Sequence, residues 1–571
     1  MKRTLIACVF VIGLWTIVAV AQSGSPVPAD EEIRKILVQR IDEAKQSVGV
    51  VVGVIEPNGR RIVSYGALAK DDKRPLNGDT IFEIGSVTKV FTSLLLADMV
   101  QRGEVGLNDP IAKYLPSGVK APERGGRSIT LVDLSTHTSG LPRLPTNMAP
   151  KDSGNPYADY SVERLYQFLS GYTLTRDIGS LYEYSNLGGG LLGHILARRA
   201  GMDYEALMRS RISAPLDMSN TRITLSADMK TRLAVGHNGK LVAVPNWDLP
   251  TLAGAGALRS NANDLLKFVA AHLGYTMTPL APAMSAMLAV RRPTPIPGLE
   301  IALGWHVFKR GDKEIIWHNG GTGGYRSFVG YDPKARTGVV VLANAETNAG
   351  VDDIGLHLLD ERAPLIPPNS PAFQPPKEHT EITIDPKVFD RYAGRYQFTP
   401  QVLLTFTRED DHFFVQLTGQ PKVEIFPETE QDYFLKIVDA QIKFEVDSQG
   451  RAAALTMYQA GRVQRANRFD GEPQPIWFGH KEITIDPNLL DRYVGGYQVV
   501  PNVVLTITRE GAHLFGQLTG QQKIEHFPES ERGFFLKVVD AQVTFEVDDQ
   551  GRTTAAVLHQ NGRDQRAPRM E

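Results

Sequence analysis

Cysteine is almost missing from this chain: the single thiol, Cys8, rules out an intrachain disulfide framework and any multi-cysteine zinc or iron–sulfur site. An excess of one charge is missing too. Lys and Arg number 62 against 64 Asp and Glu, which leaves no electrostatic footprint for nucleic acid. The chain has no G-x-S-x-G elbow, no H-E-x-x-H pair and no Walker A loop, so an α/β-hydrolase, a zinc peptidase and a phosphate-loop enzyme are disfavoured, and neither metal nor cofactor is expected. Beyond residue 20 no apolar run is long enough to cross a bilayer. What is present is ordinary for a globular protein, 42% hydrophobic and 22% charged residues, and 571 residues exceed one domain.

Lys2 and Arg3, an apolar run from Leu5 to Val20 and Ala19-Val20-Ala21 follow one another in the order of a secretory signal peptide, residues 1–21. At about 16 residues the run falls short of the roughly 20 that span a bilayer comfortably, so cleavage is expected over retention as an anchor. Cleavage discards Cys8 and leaves 60 basic residues (62 less Lys2 and Arg3) against 64 acidic ones. The expected location is the periplasm or the extracellular space.

The C-terminal third repeats itself at a shift of 101 residues. Glu381-Ile-Thr-Ile-Asp-Pro386 returns as Glu482-Ile-Thr-Ile-Asp-Pro487 and Asp390-Arg-Tyr392 as Asp491-Arg-Tyr493, and 54 of 88 aligned positions are identical. Short apolar runs between charged or glycine-bearing turns read as small antiparallel β domains over 381–470 and 482–571. The period is too long for a solenoid unit, so each copy should bury its own core. Six prolines within 361–380 mark a linker, and residues 26–360 remain as one large domain.

In that domain Ile33, Ile36, Leu37, Ile41 and Ala44 recur at helical spacing after Asp30, which is available as N-cap. Val48–Ile55, the turn Pro57-Asn58-Gly59 and Arg61–Tyr65 read as a β-hairpin. Glu314–Trp317, Ser327–Tyr331 and Gly338–Leu342 read as three strands around a glycine-rich loop, His318–Gly324. Helix and loop fill the middle. The expected fold is α/β, an antiparallel sheet made from both ends of the domain with a helical insertion between them.

Three short motifs carry chemistry. Ser86-Val-Thr-Lys89 opens the apolar helical segment Val90–Val100. Residues three apart share a helix face, so a Lys89 amine whose pKa is lowered by burial can accept the Ser86 proton, while the helix N-terminus favours an oxyanion. A second S-x-x-K, Ser117-Gly-Val-Lys120, lies among prolines and glycines and reads as loop. Tyr184-Ser-Asn186 offers a phenol to relay a proton to the leaving group and an amide to orient Lys89 and a substrate carbonyl. His318-Asn-Gly320-Gly321 follows a strand, and in Gly321-Thr-Gly-Gly324 the missing side chains let a substrate approach the strand backbone. The rival Gly236-His237-Asn-Gly239 reads as a hairpin turn.

In the order S-x-x-K, Y-x-N, H-x-G, these residues resemble the class C β-lactamase and penicillin-binding D-alanyl-D-alanine peptidase superfamily of serine hydrolases. Leu107–Pro116, Ile129–Leu141, Pro215–Met218 and Ala255–Ser260 also look like family segments, so the resemblance spans about residues 35–350. It implies a three-layer β-lactamase/transpeptidase-like domain, followed here by two small all-β domains. It further implies Ser86 as acylated nucleophile, Lys89 and Tyr184 as proton-transfer groups, and Asn186, His318 and Gly320 as substrate-positioning residues. The oxyanion hole would be the backbone N–H groups of Ser86 and Gly321. His137-Thr-Ser-Gly140 resembles a structural signature beside the site.

Two departures bear on the substrate. His318 stands where β-lactamases carry Lys, and with an ordinary pKa near 6.5 it is mostly neutral at pH 7, which weakens capture of a substrate carboxylate. Thr88 replaces the Ser or Ala usual before the lysine. The expected activity is that of an exported serine hydrolase forming an acyl-enzyme from a β-lactam or a D-Ala-D-Ala-type peptide. An esterase on small acyl esters and a penicillin-binding sensor that acylates without turnover are the alternatives. The partner is thus a small-molecule or peptide substrate, and the repeats are candidates for contact with the cell envelope.

Overall fold

The computed structural model describes residues 27–570, apart from 297, 348–349, 369, 371–378, 400–401, 418–421, 436–439, 448–449, 460–461, 472–475, 478–479, 501–502, 520–522, 538–540 and 561–562. The expected signal segment and the centre of the Pro-rich stretch lie outside the described residues.

Nine strands form one antiparallel sheet. β1 (Gly49–Glu56), β2 (Gly59–Ala69) and β3 (Asp72–Pro75) come from the start of the first domain. β4 (Arg292–Pro293), β5 (Leu299–Ile301), β6 (His306–Arg310), β7 (Lys313–Gly321), β8 (Arg326–Asp332) and β9 (Thr337–Ala343) come from its end. The order β3-β2-β1-β9-β8-β7-β6-β5-β4 sets the two ends side by side, with Val50 opposite Ala343 and Ile55 opposite Gly338. Five helices matter most: α1 (Asp30–Val38), α2 (Thr88–Gln101), α3 (Asn186–Ala200), α4 (Ala262–His272) and α5 (Asp352–Leu359).

β1 is buried along its whole length because both sheet faces are covered, and its period of two sends alternate residues to different cores. Val50, Val52 and Val54 join Ile33 and Leu37 of α1 and Ile354 and Leu358 of α5 on one face. Val51 and Ile55 join α2, α3 and α4 on the other. The domain is therefore three layers, helix on sheet on helix. A one-residue slip of β1 would exchange the two sets, and each buried valine contributes about 1.5–3 kcal/mol, so the register is strongly specified. α2 is buried without interruption from Thr88 to Met99, and its polar side chains are hydrogen-bonded there, Thr92 donating to the Gly254 carbonyl at 2.8 Å and Ser93 sharing a hydrogen bond with Ser135 at 2.8 Å.

Two local expectations are corrected. Ala29, not Asp30, occupies the N-cap of α1; Asp30 is its first residue and turns its carboxylate out to Arg61. The helix passes into a π-turn at Gln39–Glu43. His318–Gly321 belong to β7 and not to a loop, because the backbone ladder to β8 continues through them, His318 opposite Val329 and Gly321 opposite Arg326.

Eight strands from Gly394 to Arg468 close into an antiparallel barrel, and eight from Gly495 to Pro568 repeat the order, their ends meeting at the Tyr497–Arg569 bridge. The first core holds Phe389, Tyr392, Tyr396, Phe406, Tyr433 and Phe444. The second holds Leu490, Tyr493, Tyr497, Ile507, Phe534 and Phe545, all at the shift of 101 residues. The same bond recurs: Tyr396 donates to the Tyr392 carbonyl at 2.8 Å and Tyr497 to the Tyr493 carbonyl at 2.7 Å.

Candidate active site

Ser86 stands on a 3₁₀ turn, Gly85–Val87, that runs directly into α2 and so lies at the positive end of that helix. Just upstream, Phe82-Glu83 pairs with Arg259-Ser260, and the Glu83 carboxylate meets the Arg259 guanidinium at 3.0 Å. On its other side the turn touches the end of β7. A Cβ on Gly320 would collide with the Ile84 carbonyl, and one on Gly85, whose φ is +47°, would lie 2.7 Å from Gly321 N. Gly320 thus lacks a side chain where neighbouring backbone must be admitted. The close approach sets the Gly321 main chain beside Ser86.

Lys89 Nζ lies 2.9 Å from Ser86 Oγ and donates to Asn186 Oδ1 at 2.8 Å and to the Ala255 carbonyl at 2.7 Å. Ser86 is half-buried, whereas Lys89 is only 2% exposed. The glycines of α3 permit this, since a Cβ on Gly189 would come within 3.1 Å of Lys89 Cε. Burial pushes the Lys89 pKa well below its ordinary 10.5, and the positive charge of Arg143 adds to the shift. A neutral amine has two N–H groups and one lone pair. Two of the three partners can only accept and the third is a hydroxyl able to donate, so the contacts match a neutral amine facing the Ser86 proton.

Burial raises the Tyr184 pKa to about 12, against an opposing contribution from the neighbouring Ser86 side chain. Its ring centroid lies 4.9 Å from Lys89 Nζ and 5.3 Å from the Arg143 guanidinium carbon. Ser185 caps α3, accepting from the Gly188 N–H at 2.8 Å, and its own N–H donates to His137 Nδ1 at 3.1 Å. Asn186 Nδ2 donates to the Tyr157 hydroxyl at 3.3 Å. His137 sits at φ +58° with its ring 4.5 Å from that of Tyr184, so the His137–Gly140 segment buttresses Tyr184 from behind.

His318 is fully buried on β7, its ring stacked 5.0 Å from that of His306 and tilted to that of Tyr184 at 6.2 Å. Burial, with smaller contributions from His306 and Lys89, drives its pKa well below 6.5 and holds it neutral. Nδ1 donates to the Asn319 carbonyl at 2.6 Å, leaving Nε2 a lone pair without a partner among the described residues. His318 therefore brings no cation to the site.

Ser86, Lys89, Tyr184, Asn186, His318 and Gly321 all converge here. Ser117 and Lys120 lie in turn and coil, and His237 is buried, its backbone N–H bonded to the Asn344 carbonyl at 3.0 Å next to the Asn238–Leu241 turn. Sequence reasoning missed Arg143, Tyr157 and the Ala255 carbonyl. None belongs to a motif, and only Ala255 stood in a segment that resembled the family. Among the described residues no group of three His, Cys, Asp or Glu is placed to hold a metal ion.

Residues 35–363 match the β-lactamase family, and residues 378–478 and 479–569 each match a domain of unknown function (DUF3471). The chain is 30% identical over 342 residues to the D-alanyl-D-alanine-carboxypeptidase/endopeptidase AmpH of Escherichia coli (strain K12), across 56% of this chain and 87% of that one. Penicillin-binding protein 4* of Bacillus subtilis (strain 168) is 26% identical over 428 residues, 71% of this chain and 91% of its own. A solved class C β-lactamase from Rhodobacter sphaeroides superposes with a TM-score of 0.51 at 25% identity, covering 58% of this chain and 98% of that one. With the three motifs meeting in one three-layer domain, this chain belongs to the β-lactamase family, the superfamily of class C β-lactamases and D-alanyl-D-alanine carboxypeptidases, extended by a duplicated β-barrel domain.

Proposed function

We propose that this protein is an exported serine hydrolase that cleaves amide bonds of β-lactams or D-Ala-D-Ala-type peptides through an acyl-enzyme on Ser86. The observation that carries this reading is the buried Lys89 amine, 2.9 Å from Ser86 Oγ with both its N–H groups taken by Asn186 and Ala255. Ser86 Oγ attacks the substrate carbonyl as its proton passes to the Lys89 lone pair. The oxyanion is met by the N–H groups of Ser86 and Gly321. Collapse of the tetrahedral intermediate breaks the C–N bond, and the leaving nitrogen takes its proton through Tyr184, whose raised pKa suits a group that passes a proton without losing it for long. Water then hydrolyses the ester by the reverse path and restores Ser86.

A neutral, buried His318 in place of a lysine favours a second reading, hydrolysis of small acyl esters that present no carboxylate. One experiment separates them. Turnover of a chromogenic cephalosporin, a D-Ala-D-Ala peptide and a short-chain aryl ester is compared between the protein and Ser86→Ala. Loss of the nucleophile should lower the turnover by at least about a thousandfold. Turnover that survives in Ser86→Ala defeats the mechanism, and stoichiometric labelling without turnover would make the protein a sensor instead.

A further inference from the structure

We propose that Arg143 is the anion-recognising residue of this site: the substrate carries a carboxylate close to the carbonyl that Ser86 attacks, and the Arg143 guanidinium receives it. The inference rests on the serine-hydrolase reading above and adds the substrate's charge to it.

Arg143 is exposed and yet anchored to the segment that bears Tyr184 and Asn186. Its main-chain carbonyl accepts the N–H groups of Asn186 at 3.0 Å and Leu187 at 3.1 Å, and its guanidinium lies over the Tyr184 ring. A ring face holds a guanidinium without consuming its N–H donors, which leaves the planar fork free to pair a carboxylate bidentately.

Among the described residues that guanidinium meets no carboxylate. Other arginines around the site are paired: Arg176 with Glu183, Arg259 with Glu83 and Arg326 with Glu346. The Arg143 charge faces the cluster closely enough to disfavour the protonated forms of Lys89 and His137. The third motif supplies no competing charge, since His318 is enclosed and bonded to its own strand. Arg143 is thus the exposed cation set against the cluster that a substrate carboxylate can reach.

The test uses matched peptides that differ by one charge. N-acetyl-D-Ala-D-Ala and its C-terminal amide place the carboxylate on the leaving group, whereas N-succinyl- and N-acetyl-D-Ala-D-Ala amides place it on the acyl side. The ratio of kcat/KM within each pair is measured for the protein, Arg143→Gln and Arg143→Lys. The protein should prefer the acid in one pair by about 10- to 100-fold, the worth of a charge-assisted hydrogen bond. Arg143→Gln should bring that ratio near one and Arg143→Lys should restore part of it. The pair that responds identifies the side of the substrate. Effects of Arg143 on Lys89 that do not depend on the bound carboxylate act on both members alike and cancel in the ratio. For a peptide that binds without cleavage, the same ratio is read as protection of Ser86 from a fluorophosphonate. No preference for either acid, or a preference kept by Arg143→Gln, overturns the proposal and leaves the serine mechanism standing. Failure of that mechanism shows separately, as turnover that survives Ser86→Ala.

Discussion

At the scale of single residues, one buried amine governs the proton chemistry of the proposed mechanism. Lys89 must be neutral to accept from Ser86, and burial first, then Arg143, depress its pKa. Removing the Arg143 charge favours the protonated amine, so the Lys89 pKa rises. The acid limb of a kcat/KM profile for a neutral aryl ester should then move to higher pH in Arg143→Gln and return in Arg143→Lys. A limb that stays in place or moves to lower pH would argue against Lys89 as the base. Ser86, Lys89, Tyr184 and Asn186 were legible in the sequence because fixed short spacings reproduce fixed local geometry. The neutrality of His318 was legible only in part. Its ordinary pKa already suggested it, but enclosure by β7, His306 and Tyr184 is what holds it.

At the scale of elements, the site exists because β7 and the turn before α2 touch through glycine. Gly320→Ala would drive a methyl group into the Ile84 carbonyl, which is backbone and cannot rotate away. We expect a loss of about 1–3 kcal/mol in urea unfolding, together with slowed fluorophosphonate labelling of Ser86 as Gly321 is pushed aside. Gly171→Ala is the control, since nothing lies within 4 Å of a Cβ there, and it should leave stability the same or slightly higher. Equal behaviour of the two variants would remove the packing argument. The hairpin β1–β2 and the far strands were readable from alternation and turn residues. The extent of β7 was not, because glycines signal a loop in sequence yet pair like any other residue in a ladder.

At the scale of the whole molecule, the two barrels have cores separate from the two that flank the sheet, and none of the four clusters combines barrel and sheet residues. The expected linker is partly tied down: Ala363 is buried, Leu365 packs beside α5, and the Ile366 N–H donates to Asp353 at 2.9 Å. Units with separate cores unfold separately. Calorimetry should therefore show more than one transition, with only the one assigned to the first domain shifted by Gly320→Ala. A single transition that shifts as a whole would mean the barrels and the sheet domain stabilise one another. A chain ending after Ile366 should hydrolyse the same substrate within about threefold of the full protein, because among the described residues the site draws no side chain from the barrels.

The sequence alone determined what depends on neighbours along the chain: the repeat at 101 residues, the β-hairpin, the S-x-x-K spacing on a helix and the absence of any disulfide. Tertiary structure decided what depends on residues far apart meeting in one place. Only folding brings Ala255 and Asn186 onto Lys89, turns Gly320 toward Ile84, encloses His318 and leaves the guanidinium of Arg143 over Tyr184. The physical reason is that desolvation and the pairing of charges are properties of the space around a group, and that space is filled by segments separated by up to about 230 residues along the chain.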